Sequence, residues 1–255
     1  MDTLDDVVDA FGLDGVQAAA LVRYLDLLLG WRRGNLTAVR TRAEAVSRLL
    51  ADSLALLDVP ALVDAGPCWL DLGAGAGLPG IPLAVARQAA RLTLLDSVAK
   101  KCVFLEAAVA ATGLTSRASV VCARSEEFAA HRAVASGGRA AGEGRATAPA
   151  GAGREAFDVV FARAVASLAV VVELAAPLLA ADGVLLAVKT ATGAAQERPA
   201  AEAAAARCGL VAAGTVELPR SPLRESVCAV FVRREPAPDW LPRRPGLAAR
   251  RPLSS

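Results

Sequence analysis

Residues 69–80 read WLDLGAGAGLPG, with Gly73, Gly75, Gly77 and Gly80 crowded behind a short apolar run. Apart from Asp71 the run CWLDL is apolar throughout, as a strand covered on both faces requires. GLPGIPLAVARQAA then opens a helix whose first turn tolerates Pro79 and Pro82. Glycine lets the backbone take φ > 0 and lets a ligand approach without meeting a Cβ. The stretch therefore reads as a strand, a ligand-binding turn and a helix.

Asp71 stands two residues before Gly73, and Asp96 closes the next apolar run, RLTLLD, 25 residues after Asp71. At that place a carboxylate can accept both hydroxyls of a ribose, so the pair points to an adenosine-containing cofactor. A dinucleotide fingerprint G-x-G-x-x-G needs glycine at 78, where the chain has Leu78. The pattern present, D-x-G-x-G-x-G, resembles the first motif of class I S-adenosylmethionine-dependent methyltransferases. Oxidoreductase chemistry also lacks its parts: the one Tyr, Tyr24, precedes the α/β region, and the one His, His131, borders an Ala-rich stretch.

Outward from the turn, the runs ASVVCA, FDVVFAR and GVLLAVK repeat the pattern, and helix-compatible stretches such as SVAKKCVFLEAAVAAT and ASLAVVVELAAPLLA separate them. Alternation of this kind predicts an α/β fold, a Rossmann-like, mostly parallel, doubly wound sheet. VELP and SVCAVFVRR have little between them that reads as a helix, so the last strand is expected to turn back antiparallel. Ahead of the sheet, Leu4, Val7, Val8 and Phe11, then Leu21, Tyr24, Leu25 and Leu28, recur at helical spacing. TRAE (41–44) has the form of a capping box and predicts a third helix from about Arg42 to Leu57. The expected organisation is an N-terminal helical segment (1–60), a main domain (61–235) and a basic tail (236–255). Within the main domain, residues 133–155 are Gly, Ala, Arg and Pro with hardly a large apolar side chain, which predicts a disordered insertion.

The chain has 255 residues, 55% of them hydrophobic, enough for one sizeable core, and a formal net charge of +2. Charge is concentrated locally: residues 1–22 hold five Asp and no Lys or Arg, and residues 233–255 hold six Arg against Glu235 and Asp239. Five cysteines without a C-x-x-C pair read as small core residues, and one His leaves no material for a zinc site or a His-based dyad. The acidic start lacks the order of a signal peptide, and the longest apolar stretch, near 164–181, is broken by Ser167, Glu173 and Pro177. The expectation is a cytoplasmic monomer with no metal and no membrane partner, and Asn35-Leu36-Thr37 is then no glycosylation site.

WRRGNLTAVR (31–40), GLPGIPLAV, LLDSVAKKCVFL, RSEEF and FARAVASL together resemble the bacterial 16S rRNA guanine-N7 methyltransferase G family, also called glucose-inhibited division protein B. The matches span most of the chain. The resemblance implies methyl transfer from S-adenosyl-L-methionine to N7 of a guanine in 16S rRNA, with the RNA or the small ribosomal subunit as partner. Two departures stand out: Leu49, where the family's version of SRLLADS is expected to carry His, and the 133–155 insertion. Carried over, the resemblance makes Gly73 and Leu78 cofactor contacts in the turn, with Asp71, Gly75, Gly77 and Asp96 completing the binding motif. It makes Ser125 and Glu126 contacts near the adenine, although a helix cap and its dipole partner explain that pair equally well. It assigns Arg163, at the end of FDVVFAR, the catalytic and cofactor-contacting role. An Arg there is costly to bury unpaired, so it needs the cofactor carboxylate, an RNA phosphate or a structural acid beside it. Lys189, closing GVLLAVK, has the same readings.

Cation-rich flanks supply the expected RNA contacts: Arg32 and Arg33 beside Trp31, Lys189, and Arg243, Arg244, Arg250 and Arg251 in the tail. Guanine N7 has an in-plane lone pair and no proton, so its methylation needs alignment more than a base. Methylating a pyrimidine carbon needs a Cys nucleophile, and Cys68 precedes the first strand instead of following the fourth. Two other readings are an RNA-binding module with a degenerate nucleotide fold, against which the intact glycine turn and Asp96 stand, and a small-molecule methyltransferase, which the basic flanks oppose.

Overall fold

The fold is seen in a computed structural model that describes residues 3–34, 36–130 and 152–253. Helices α1 (Leu4–Phe11) and α2 (Gly15–Gly30) begin at reciprocal caps, Thr3 with Asp6 and Asp14 with Gln17. Thr41 caps α3 (Arg42–Ala45), which continues through a π-helical segment (Val46–Ala51), α4 (Asp52–Leu54) and a 3-10 turn (Ala55–Asp58) before α5 (Pro60–Val63). The helix expected over Arg42–Leu57 is thus present but changes its winding. The α/β part then runs β1 (Cys68–Leu72), α6 (Gly80–Ala86), β2 (Arg91–Asp96), α7 (Ala99–Ala111), β3 (Ala118–Cys122) and α8 (Ser125–Ala129). It continues with β4 (Phe157–Arg163), α9 (Leu168–Ala175), β5 (Leu179–Thr190), α10 (Ala191–Cys208), β6 (Leu210–Glu217), β7 (Ser226–Arg233) and the short α11 (Leu247–Arg250).

Among the described residues the strands form one seven-stranded sheet in the order β3-β2-β1-β4-β5-β7-β6. Strands β1 to β5 pair in parallel, and β7 runs antiparallel to both β5 and β6. Successive side chains enter opposite layers, which is why the strand sequences show no polar alternation. In β4, Val159 and Phe161 join a core with α1, α2, α6 and α7, whereas Val160 and Ala162 join a second core with α8, α9 and α10. Across the first layer Trp69 and Phe161 meet edge to face at 5.4 Å.

The N-terminal helices are fastened to the sheet's helical layer by polar bonds as well as apolar burial. Gln17 Nε2 donates to the carbonyls of Val85 and Ala86 (both 3.1 Å), and Arg23 Nε to that of Ala111 (2.7 Å). Arg220 reaches back to pair with Asp58 while its guanidinium lies 4.1 Å from the Phe11 ring centre. Leu49, at the position where the family was expected to carry His, is 8% exposed and part of this core.

Most of the insertion, residues 133–151, lies outside the described residues, as do His131, Arg139 and Arg145. Residues 152–155, which composition placed with it, form a turn that packs and pairs: Gly153 sits against the Phe128 ring, and Glu155 pairs with Arg233 at 2.6 Å. The tail likewise departs from a solvated basic arm, because Leu241 is fully buried and Ala248 and Leu253 are 3% and 5% exposed. Arg154 helps hold it, donating to the Leu241 carbonyl at 2.9 Å.

Candidate functional site

The sheet order reverses between β1 and β4, and the crevice outside the carboxyl ends of the strands at such a switch point is where open α/β sheets bind ligands. A cleft of about 350 Å³ lies there. Leu72 and Gly73 come to it from the end of β1, Asp96 and Ser97 from β2, Ser125 and Glu126 from the start of α8, and Ala164 to Ala166 from the end of β4.

The turn after β1 takes a left-handed backbone three times, at Gly73 (φ 70°), Gly75 (φ 58°) and Gly77 (φ 83°). These glycines have different reasons to be glycine. A Cβ at Gly77 would stand 2.4 Å from Ile81 Cδ1, so that position serves helix packing. A Cβ at Gly75 would meet no protein atom nearer than the Gly73 carbonyl oxygen at 3.7 Å, so the space over Gly75 is open to a ligand.

Asp96 holds the turn from the next strand. Its Oδ2 accepts the Gly75 N–H at 3.0 Å, its Oδ1 accepts the Val98 N–H at 2.8 Å, and Lys101 Nζ lies 3.5 Å from Oδ2. A carboxylate has about four lone-pair sites, so it retains acceptor capacity toward a ribose. Asp71 sits deeper, 1% exposed; Gly80 N–H donates to its Oδ2 at 2.9 Å, and Oδ1 has no partner. Burial pushes its carboxyl up to about 7, against the opposing pull of the Gly80 N–H and Arg163. A buried carboxylate oxygen without a donor beside an open glycine turn fits a ligand that carries an amine.

Tyr24, which precedes the α/β region in sequence, is brought to the glycine turn by the packing of α2. It is fully buried, and its hydroxyl donates to the Ala76 carbonyl at 2.8 Å, inside the glycine turn. Burial pushes its phenol well above the usual range, so it stays a donor.

A family model described as rRNA small subunit methyltransferase G matches residues 17–219. The chain belongs to this family. The ribosomal RNA small subunit methyltransferase G of Roseiflexus castenholzii is 35% identical over 99% of this chain and 100% of its own length. The protein of that name from Anaeromyxobacter dehalogenans is 39% identical over 86% of this chain and 92% of its own. In fold the chain is similar to cofactor-bound Rv0187 from MTB, with a TM-score of 0.51 at 20% identity, covering 89% of this chain and 96% of that one. The fold is that of class I S-adenosylmethionine-dependent methyltransferases, and membership of the methyltransferase G family carries S-adenosyl-L-methionine as donor and small-subunit rRNA as substrate.

Within this family fold the residues picked from sequence divide into groups. Gly73, Asp96, Ser125 and Glu126 line the cleft, Gly75 lies in the turn and Asp71 in β1 before it, and Gly77 and Leu78 build the turn's exit into α6. Ser125 Oγ donates to Glu126 Oε2 at 3.2 Å, and the Gly246 N–H donates to Glu126 Oε1 at 2.8 Å.

Arg163 departs from the expected ligand contact. It pairs with Asp52 at 2.8 Å, donates to Ser53 Oγ at 3.2 Å and to the Arg48 carbonyl at 2.9 Å, and does not line the cleft. The structural partner wins because Asp52, 1% exposed, is itself a buried charge that needs a cation. What Arg163 reaches is the next residue: Ala164 takes a left-handed φ of 54° in the cleft wall, a strained conformation that the surrounding packing has to enforce.

Two expected RNA contacts are also spent within the protein. Lys189 Nζ pairs with Glu197 at 2.9 Å and donates to the Ala166 carbonyl at 2.7 Å, which ties down the loop after β4. Arg243 forks onto Glu173, with bonds of 2.6 and 2.5 Å, and Glu173 is only 2% exposed. Arg32, Arg33, Arg244, Arg250 and Arg251 are exposed. Sequence reading missed Asp52 and Ser53, whose signal was a polar pair inside the apolar run LLADSLALL, and the tail residues Gly246, Ala248 and Ala249, which line the cleft with no sequence signal at all. Among the described residues no cluster of His, Cys, Asp and Glu could hold a metal, and no helix is long and apolar enough to cross a membrane.

Proposed function

We propose that the protein transfers the methyl group of S-adenosyl-L-methionine to N7 of one guanine in 16S rRNA. The observation that carries the choice of atom is the chemistry of the cleft lining. Its titratable side chains are Asp96, Lys101, Arg124 and Glu126, of which Asp96 and Glu126 already accept backbone N–H bonds. Among the described residues the lining has no His, Cys or Tyr to act as a general base or nucleophile. N7 of neutral guanine carries no proton to remove, so alignment suffices.

When bound, the cofactor supplies an electrophilic methyl group on a sulfonium. Asp96 and Gly73 would hold its ribose side, Ser125 and Glu126 its base, and Gly75 and Asp71 its amino-acid side. Arg163 and Lys189 act by holding the β4 loop, residues 164–166, in the wall of the cleft. Of the cations picked from sequence as RNA contacts, Arg32, Arg33, Arg244, Arg250 and Arg251 are exposed and free of a buried acid, and such contacts position the RNA without choosing the base. The substrate places the enzyme in the cytoplasm, where we take it to act as a monomer.

The test uses labelled S-adenosylmethionine with small subunits, or with naked 16S RNA, from cells that lack this modification. Label is expected on a single guanine, and reduction followed by aniline is expected to cleave the chain there, as N7-methylguanosine allows. Label on a pyrimidine carbon, an exocyclic amine or a small metabolite overturns the proposal.

A further inference from the structure

The C-terminal segment does two things within ten residues. Gly246, Ala248 and Ala249 form part of the cleft wall, and the Gly246 N–H bonds Glu126, another residue of the lining. Arg244, Arg250 and Arg251, interleaved with them, are exposed. The segment is anchored on both sides: by buried Leu241 and the Arg243–Glu173 pair before it, and by buried Leu253 after it. Glu173 belongs to α9, which also lends Val170 and Leu174 to the cleft. One short strap therefore lines the cleft and also presents cations to solvent.

We propose that residues 243–251 are a strap that couples the two substrates: RNA phosphates on Arg244, Arg250 and Arg251 hold it against the cleft, and the cofactor beneath it is held more tightly in consequence. The proposal rests on the reading that the cleft binds S-adenosylmethionine. Such coupling is reciprocal, so the cofactor tightens RNA by the same factor. It also gives a reason for a tail that spends Arg243 on a buried acid instead of on RNA. A basic arm that only collected phosphate needs no fork onto α9.

The experiment titrates S-adenosylhomocysteine, which binds without being consumed, into the full chain with and without unmethylated 16S RNA, at RNA concentrations shown by filter binding to be saturating for each variant. RNA is expected to lower the dissociation constant about fivefold or more in the unaltered chain, the usual lower range for allosteric coupling. In the Arg244→Ala, Arg250→Ala, Arg251→Ala triple variant the constant is expected to be the same with and without RNA. Hydrogen exchange gives an independent readout: the amides of Gly246 and Leu247 are expected to slow more with both ligands than with either alone. An RNA effect that is absent from the unaltered chain, or retained in full by the triple variant, overturns the strap. Failure of the unaltered chain to bind S-adenosylhomocysteine at all overturns the cofactor reading, and the strap with it.

Discussion

Arg163 and Asp52 meet at 2.8 Å across the junction of the N-terminal helices and the sheet, 111 residues apart in sequence. The pair joins α4, one of several helices that precede β1, to the strand whose end leads into the cleft wall. The acid is 1% exposed and also accepts the Ser221 hydroxyl at 2.6 Å, so it is satisfied from two sides.

Removing one partner of a buried pair leaves the other charge uncompensated, at a cost of about 3–5 kcal/mol. Arg163→Ala and Asp52→Ala are each expected to lower unfolding stability by about that amount in urea titrations. Methyl transfer is expected to fall in Arg163→Ala even at temperatures where the variant is folded, because Ala164 loses its constraint. Full turnover by the folded variant contradicts a positioning role.

Gly75 and Gly77 are expected to respond differently to alanine. Gly75→Ala meets no protein atom nearer than 3.7 Å and pays only the left-handed backbone, about 1–3 kcal/mol, but its Cβ enters the open space over the turn. Calorimetry is expected to show cofactor binding lost while the fold persists. Gly77→Ala adds a clash with Ile81 to the same backbone strain and is expected to melt lower than Gly75→Ala. The reverse order of melting temperatures refutes this division of roles.

Asp71 makes a pH prediction. Its carboxyl is raised from 3.8 to about 7 in the native state, first of all by burial. Below the lower value both states are protonated and the group contributes no pH dependence. Between the two values the unfolded chain has released a proton that the native chain keeps, so this contribution to stability falls as pH rises, and it levels off above the upper value. Asp71→Asn lacks the group, so its stability relative to the unaltered chain is expected to rise from pH 4 to pH 7 and then to plateau. A difference that is flat over this range shows that Asp71 titrates normally.

Exposed tail arginines are expected to add affinity without choosing the target. Replacing Arg244, Arg250 and Arg251 by Ala is expected to reduce the salt slope of RNA binding by up to about 2, at about 0.7 per phosphate contact on a single strand. The methylated guanine is expected to remain the same. Methylation that moves to another nucleotide shows that the tail reads sequence.

Local patterns carried most of the fold. The glycine turn, the fully apolar strands and the antiparallel β7 follow from residue types within a few positions of one another, and so does the placement of Asp71, Asp96, Arg163 and Lys189 at the carboxyl ends of strands. The partners of those charges were not legible. Whether Arg163 finds Asp52 or a ligand depends on how helices from before the sheet pack on it, and no spacing rule links positions so far apart. The same holds for Tyr24, whose hydroxyl meets Ala76 only through packing of α2 on the turn, and for Arg243, which looks in sequence like any other Arg of a basic tail. Charge counts identify cations but do not reveal which of them a buried acid has already claimed.

Gly153 N–H donates to the Phe128 carbonyl at 3.1 Å, so the chain returns from residues 131–151 within one hydrogen bond of the helix it left. Entry and exit points this close suit the grafting of a foreign domain whose own ends are adjacent, such as a fluorescent reporter, since closing a longer loop costs only logarithmically more. Gly153 itself has to stay glycine in such a chimera, because a Cβ there would stand 2.3 Å from the Phe128 ring. A reporter fused to the carboxyl end would instead pull on Leu253 and the strap, so this internal seam is the better handle for watching the enzyme on its RNA.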